Sequence, residues 1–352
     1  MTFPELFVTN FNKNFTGVSA TTAGVIGVQQ DQFDMRLVGY SLPGCAAPIS
    51  KADAYKMSCT KRLSKPFVIW HVRRNPEMRT AIWARDVLRL PVKIVFTSAA
   101  QRLHSLYPRL LISKMDAVIA TTQEASVYVP HVRAIVPHGV DTARFKPAKN
   151  RAAAWQALGY GGQFGLAAVG RVRPEKGTDI FVDAMLRVLP KYPDLVALVV
   201  GKAAKEHQGF QRKLQDRIAA AGLSDRLLLV GEIEPDKMPV LMRALSLLVA
   251  LPRYEGYGMT PLEALASGVP FVASDTGYFN EFSNMGRVGK VVPVGNASDS
   301  AQAIEAWLSL PKNLAEASLL ATKSAEKYHS IEKETHGISA VYENLWNGRA
   351  DY

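Results

Sequence analysis

Strand-like and helix-like segments alternate along the whole chain, and this alternation restricts the fold more than any other feature. An apolar run buried on both faces needs cover on both sides, and helices in the crossovers supply it. The pattern is that of open parallel α/β sheets. In residues 1–150 the strand candidates are LFVTN, MRLVGY, PFVIWH, VKIVFTS and DAVIATT, with PEMRTAIWARDVLRL, which opens at Pro76, as a helix. In residues 151–352 they are FGLAAVG, LVALVVG, RLLLVG, LSLLVAL and PFVAS. GTDIFVDAMLRVLPKY is an amphipathic helix, and IEKETHGISAVYENLW is another that closes the chain. Between the two series lies VPHGVDTARFKPAKN, rich in turn formers and without a sustained period, which reads as an interdomain link. At 352 residues the chain exceeds the size of one core, so two domains are expected, 1–147 and 148–330.

Composition narrows the class. With 48% hydrophobic and 21% charged residues, the chain has enough apolar material for a core without staples. Cys45 and Cys59 form no paired framework, so a reducing cytoplasm is expected. The first residues, MTFPELFVTNFNKNF, lack the basic and apolar regions of a signal peptide. No apolar run approaches the ~18 residues of a membrane span, although the protein could still lie on a membrane. The net charge of +11 is unevenly placed. Residues 1–150 hold 20 Lys and Arg against 9 Asp and Glu, whereas residues 151–352 hold 22 of each. Such asymmetry points to an anionic partner for the first half: nucleic acid, phospholipid or an acidic small molecule. That half lacks the aromatic pattern or basic recognition helix of a nucleic-acid reader, so no nucleic-acid partner is expected.

Two motifs carry the chemistry. GRVRPEKG, residues 170–177, follows a strand and precedes a helix, and sets Arg171, Arg173 and Lys176 beside the positive end of that helix. Cations at that end repel it unless an anion lies between them, and a diphosphate fits the role. RYEGYGMTPLEALASGVP, residues 253–270, likewise joins a strand to a helix. Glu255 lies in its loop beside Gly256 and Gly258, whose backbone lets amides approach a ligand. Thr260, Pro261 and Glu263 have the spacing of a capping box, which gives Glu263 a structural use of its own. A carboxylate beside an anion site fits best if it accepts from neutral hydroxyls. The ligand implied is a diphosphate with hydroxyl-rich groups at both ends, a nucleotide-sugar. The loop NFTGVSATTAGV, with Gly17, follows the first strand and should face a cleft.

GRVRPEKG followed by YEGYGMTPLEALASGVPFVASDTG closely resembles the donor-domain signature of the retaining glycosyltransferases of family 4, whose GT-B fold pairs two Rossmann-like domains across a cleft. The resemblance spans essentially the whole chain and is most specific in the second half. It implies that residues 331–352 form a helix returning to the first domain. It also implies that Arg171 and Lys176 hold the diphosphate and Glu255 the hydroxyls of the transferred sugar. The amides of Gly256, Tyr257 and Gly258 would meet sugar and phosphate, and Glu263 the ribose. Gly17 would lie near the diphosphate, with Gly201, Glu232 and Ile233 lining the base pocket. One departure stands out: where many relatives have a histidine near the fourth strand, this chain has Thr97 and Ser98, while His71 matches another position at which relatives have histidine.

Within the family, NFTGVSATT and FTSAAQR look most like rhizobial lipopolysaccharide core mannosyltransferases, which move mannose from GDP-mannose to the Kdo sugar of the lipid A inner core. This implies an anionic lipid-linked acceptor and peripheral contact with the cytoplasmic face of the inner membrane, where each nearby Lys or Arg contributes roughly 1 kcal/mol. His71, Arg73, Arg74 and Arg79, with Arg85 and Arg89 further along the same helix, form the expected acceptor or membrane face. The resemblance also implies front-face attack with retention, the cationic turn stabilising the leaving diphosphate. No Asp-x-Asp pair occurs, so no metal or other cofactor is expected. Two alternatives stay open: a GT-B enzyme using another nucleotide-sugar such as UDP-glucose, and a non-catalytic basic protein that binds membrane or nucleic acid.

Overall fold

The computed structural model describes residues 4–59 and 65–348. The chain divides into two compact units, one of Met1–Gly139 with His329–Tyr352 and the other of Val140–Tyr328. The first holds strands β1 (Leu6–Asn10), β2 (Met35–Gly39), β3 (Val68–Val72), β4 (Val92–Ser98), β5 (Ala117–Ala120) and β6 (Val132–Ile135), all parallel, in the order β2-β1-β3-β4-β5-β6. The second holds β7 (Phe164–Val169), β8 (Leu195–Val200), β9 (Leu227–Gly231), β10 (Leu247–Ala250), β11 (Phe271–Ser274) and β12 (Gly289–Val292), also parallel, in the order β12-β11-β10-β7-β8-β9. Both orders are those of doubly wound, Rossmann-like sheets, which reverse direction between β1 and β3 in the first unit and between β7 and β10 in the second.

Side-chain alternation explains why these sheets are covered on both faces. Along β8, Leu195, Ala197 and Val199 enter one apolar cluster of the second unit, while Val196, Leu198 and Val200 enter the other. Along β1, Leu6 and Val8 face one way and Phe7 the other. Each such buried Val or Leu contributes roughly 1.5–3 kcal/mol.

The division falls at Gly139/Val140 rather than 147/148, and at Tyr328/His329 rather than 330/331. The first shift has a packing cause: Val140 and Phe145, within the expected link, are buried with Trp155 in the second unit's core. The last helix, Ile331–Trp346, is part of the first unit. Its Ile331, Ile338, Val341, Tyr342 and Trp346 complete a cluster with Leu6, Val8 and Ile26, and Gln29 of helix Gly17–Gln29 donates to Ser339 at 3.0 Å. Strands β6 and β12 escape the sequence reading because both are short sheet edges, with Arg133 and Lys290 breaking their apolar runs. PEMRTAIWARDVLRL does not stay α-helical throughout. The helix Asn75–Ile82 passes into a wider π-type turn, Trp83–Val87, before Arg89 adopts a φ of 53°. Among the described residues no helix is long and apolar enough to cross a membrane.

Candidate active site of the second unit

The two motifs meet at the switch point of the second sheet. The carboxyl ends of β7 and β10 open into a recess of about 500 Å³, its mouth included, lined by Gly170, Arg171, Lys176, Glu255, Gly258 and Thr260 among others. Nζ of Lys176 lies 2.5 Å from Oε2 of Glu255, so the cationic turn and the acid-bearing turn, 79 residues apart in sequence, touch. Arg171 stays exposed at the edge of the recess.

Two helices begin at this recess. Thr178–Val188 follows Gly177, and Met259–Ala266 follows Gly258; neither N-cap residue offers a side-chain acceptor, and in the first helix the Asp179 carboxylate accepts from the amides of Asp179 and Ile180. Both caps require glycine. Gly258 has φ 97°, and a Cβ there would come within 2.0 Å of the Phe279 ring; Gly177 has φ 65°, and a Cβ would lie 1.7 Å from the Leu251 carbonyl oxygen. Two helix N-termini, a lysine and an arginine thus gather at one concavity, where the general physics of helix ends favours negative charge. The expected capping box is absent. The helix starts at Met259, and Glu263 lies beyond its first turn, its carboxyl not used for capping.

Residues that the sequence reading missed hold the two turns together. Arg253 pairs with Asp179 at 2.7 Å, donates to the Pro174 carbonyl, and its amide donates to Glu175 at 2.9 Å. The Asp179 hydrogen bond raises the Arg253 pKa above its ordinary value. Burial pushes Asp179 upward, but Arg253 and backbone amides outweigh it, leaving a net decrease. A basic residue two positions before the glutamate is the only signal for this clamp, and exposed arginines are too common for it to stand out. Tyr257 fixes the glutamate loop from beneath: its buried ring stacks on Tyr278 at 5.2 Å and meets Phe282 edge-on. Of the three expected loop amides, Gly258 lines the recess, while Tyr257 serves as a core anchor and Gly256 donates to Glu255 at 3.0 Å.

Of the other expected donor residues, Gly201 adjoins the recess at Gly170, and Glu263, Glu232, Ile233 and Gly17 are outside its lining. Burial pushes the Glu263 carboxyl up to about 7, with Arg144 acting in the opposite direction; Glu263 keeps some exposed surface, but protein crowds its carboxyl. Arg144 also donates to the Pro235 carbonyl at 2.5 Å and pairs with Asp236, which ties the loop after β9, with Glu232 and Ile233, to the same corner. Gly201 follows β8, its amide donating to the Gly231 carbonyl at 2.7 Å. Gly17 opens helix Gly17–Gln29 in the first unit, and a Cβ there would meet open space.

The structure corrects most of the expected acceptor or membrane face. His71 is fully buried at the end of β3, with Nε2 2.7 Å from Thr97 Oγ1 and Nδ1 bonded to the Tyr342 hydroxyl. Burial, reinforced by Arg73, lowers its pKa well below the ordinary histidine value. Both ring nitrogens are engaged inside the unit, so His71 is a core histidine. Arg73 is likewise packed in, burial lowering its pKa. Arg74 reaches inward to Asn10, Thr16, Ser19 and Glu77 at 2.9–3.3 Å. The buried Glu77 also accepts from the amides of Phe11, Arg73 and Arg74 and from Thr9 Oγ1, which fixes the start of helix Asn75–Ile82 against β1. Arg79 alone of the four is solvent-facing.

Two Rossmann-like units, one with a recess lined by Arg171, Lys176 and Glu255 at its sheet reversal, define the class: a GT-B glycosyltransferase. Comparison with known proteins agrees. The model of the glycosyl transferases group 1 family matches residues 153–324. The chain is 39% identical over 345 residues to the lipopolysaccharide core biosynthesis mannosyltransferase LpsB of Rhizobium meliloti (strain 1021), covering 97% of each chain. It is 36% identical to the lipopolysaccharide core biosynthesis mannosyltransferase LpcC of Rhizobium leguminosarum bv. viciae, covering 97% of this chain and 96% of that one. Among solved structures, Anabaena HepE in complex with UDP and glucose superposes with a TM-score of 0.82 at 16% identity, covering 96% of this chain and 99% of that one. The C-terminal domain of LpcC from Francisella tularensis matches 55% of this chain and all of that one, with a TM-score of 0.53 and 30% identity. The chain belongs to the group 1 glycosyltransferases and is a hexosyltransferase.

Proposed function

We propose that the protein transfers mannose from GDP-mannose to the Kdo sugar of a lipid A inner core, with retention at the anomeric carbon and at the cytoplasmic face of the inner membrane. The observation that carries this reading is the convergence of Arg171, Lys176, Glu255 and two helix N-termini on one recess. The lipopolysaccharide core mannosyltransferase names of its full-length relatives support the sugar and the acceptor class.

In this reading the diphosphate sits between Lys176, Arg171 and the helix amides, which stabilise negative charge as the sugar–phosphate bond breaks. Arg171 and Lys176 fill the charge-neutralising role without a metal. Glu255 accepts from hydroxyls of the mannose while Lys176 turns from Glu255 to phosphate. The acceptor hydroxyl attacks from the face that the diphosphate leaves, and a diphosphate oxygen takes its proton. Glu263 accepts from the ribose, with Gly17, Gly201, Glu232, Ile233, Gly256 and Tyr257 as further donor-binding positions.

Thermal unfolding with a panel of nucleotide-sugars, followed by product analysis on Kdo–lipid A, tests the assignment. Saturation at 100 times Kd stabilises by about 2.7 kcal/mol. GDP-mannose should raise Tm, and the product should carry α-linked mannose. Stabilisation by UDP-sugars alone would replace the donor, and an inverted product would remove retention.

A further inference from the structure

The corrected helix face exposes a different surface of the first unit. On helix Leu106–Ile112, Leu111 and Ile112 point into the core beside Met78 and Ala81, whereas Leu106, Tyr107 and Leu110 form a stripe on the opposite side. Leu106 is 81% exposed, and Tyr107, Leu110 and nearby Leu103 are each more than half exposed. This helix packs against helix Asn75–Ile82. That helix and the turn after it present a second stripe, Arg79, Trp83 and Val87 at four-residue spacing, with Trp83 and Val87 also more than half exposed. An ordinary soluble surface scatters such side chains singly; here they are grouped.

The charges around them share one sign. Residues 99–115 contain Arg102, Arg109 and Lys114, all exposed, and no acid. Arg79 and Arg89 are exposed on the neighbouring segment, where Glu77 is buried and the one exposed acid, Asp86, is held by Arg85. Large apolar groups with tyrosine and tryptophan, rimmed by arginine and free of unpaired acids, match the boundary between headgroups and acyl chains of an anionic bilayer. A protein partner with an acidic rim would satisfy the arginines, but nothing in the stripe selects one fold or sequence.

We propose that the apolar ridge of Trp83, Val87, Leu103, Leu106, Tyr107 and Leu110 inserts into an anionic lipid interface, with Arg79, Arg89, Arg102 and Arg109 on the headgroups. This rests on the proposed function for its purpose, presentation of a lipid-linked acceptor, but its test needs neither donor nor acceptor. The purified protein is sedimented with vesicles of phosphatidylcholine alone or mixed equally with phosphatidylglycerol. The wild type should bind the mixed vesicles and release in high salt. Leu106→Ser with Leu110→Ser should weaken partitioning at least about tenfold, and Arg102→Ala with Arg109→Ala by about fivefold per arginine. All four side chains are exposed, so both double variants should keep the wild-type unfolding temperature. Failure of the wild type to bind mixed vesicles overturns the proposal. So does unchanged binding in the leucine variant, or a leucine variant that loses only self-association. Loss of vesicle binding together with an unchanged nucleotide-sugar Tm shift supports it and leaves the donor assignment to its own assay.

Discussion

Lys176 sits where the donor reading is most exposed to test, because its ammonium must serve both Glu255 and a phosphate. Lys176→Ala or Arg171→Ala should lower kcat/KM by roughly 10²–10³, the scale of losing one charge-stabilising donor in a transition state. Unfolding should stay near wild type, because both side chains lie at the edge of the recess rather than in a core. Retained turnover in either variant would remove the phosphate role. Glu263 gives a pH signature. Its carboxyl rises from an ordinary 4.5 to about 7 in the folded protein, so the native state holds the proton more tightly than the unfolded chain. Its stabilising share is complete below pH 4.5 and is lost as pH climbs through 7. At pH 8 the buried carboxylate costs about 3 kcal/mol. Glu263→Gln should therefore be more stable than wild type at pH 8, with the gap closing toward pH 5, measured by urea unfolding across that range. A gap independent of pH would show that the carboxyl titrates normally.

Elements, more than side chains, were legible in the sequence. The buried strands announced themselves because parallel strands covered on both faces are apolar throughout, as LVALVV shows, with all six residues buried. GRVRPEKG and RYEGYGMTP could be placed after strands and before helices, and so at one sheet end. What could not be read is which neighbour satisfies a polar group across the sheet. His71 at a strand end looks alike whether its ring meets substrate or Tyr342, a partner 271 residues away. Arg73 and Arg74 precede a helix, as surface arginines do, yet the Arg74 side chain turns inward to Glu77 and that of Arg73 is buried near Tyr342 and Glu334. The capping box failed for a local reason: Gly258 adopts φ 97° and starts the helix one residue before Thr260. Gly258→Ala should accordingly do more than remove flexibility. Its Cβ would displace the Phe279 ring and tilt the helix end away from the recess. A loss of about 1–3 kcal/mol in stability and weaker nucleotide-sugar binding are expected together, read by urea unfolding and a thermal-shift titration. A variant that binds the donor as the wild type does would show that this helix end is not part of the site.

At the scale of the whole molecule, the decisive feature is that the chain leaves its first unit at Gly139 and comes back to it at His329. The return is written in packing. Ile331, Ile338, Val341, Tyr342 and Trp346 complete the cluster over one face of β1 and β3, and Gly337 lies so close to Val136 that a Cβ would come within 2.9 Å. His138 and Glu334 add a buried pair at 2.7 Å, with the Gly139 amide on the same carboxylate. The first unit therefore finishes folding only when the helix Ile331–Trp346 has been made. Removing residues 329–352 strips five large side chains from that core, a loss on the order of 10 kcal/mol, comparable with the whole stability of a domain. The second unit owes none of its core clusters to the deleted segment. Calorimetry of the truncated protein should thus show one transition where the full chain shows the sum of two units, and the nucleotide-sugar that stabilises the full chain should still raise the surviving one. Transfer to acceptor should vanish, since the first unit is lost. If the truncated chain kept both transitions, the closing helix would be an ornament on a self-sufficient sheet; if it kept neither, the two units would be a single cooperative body rather than two.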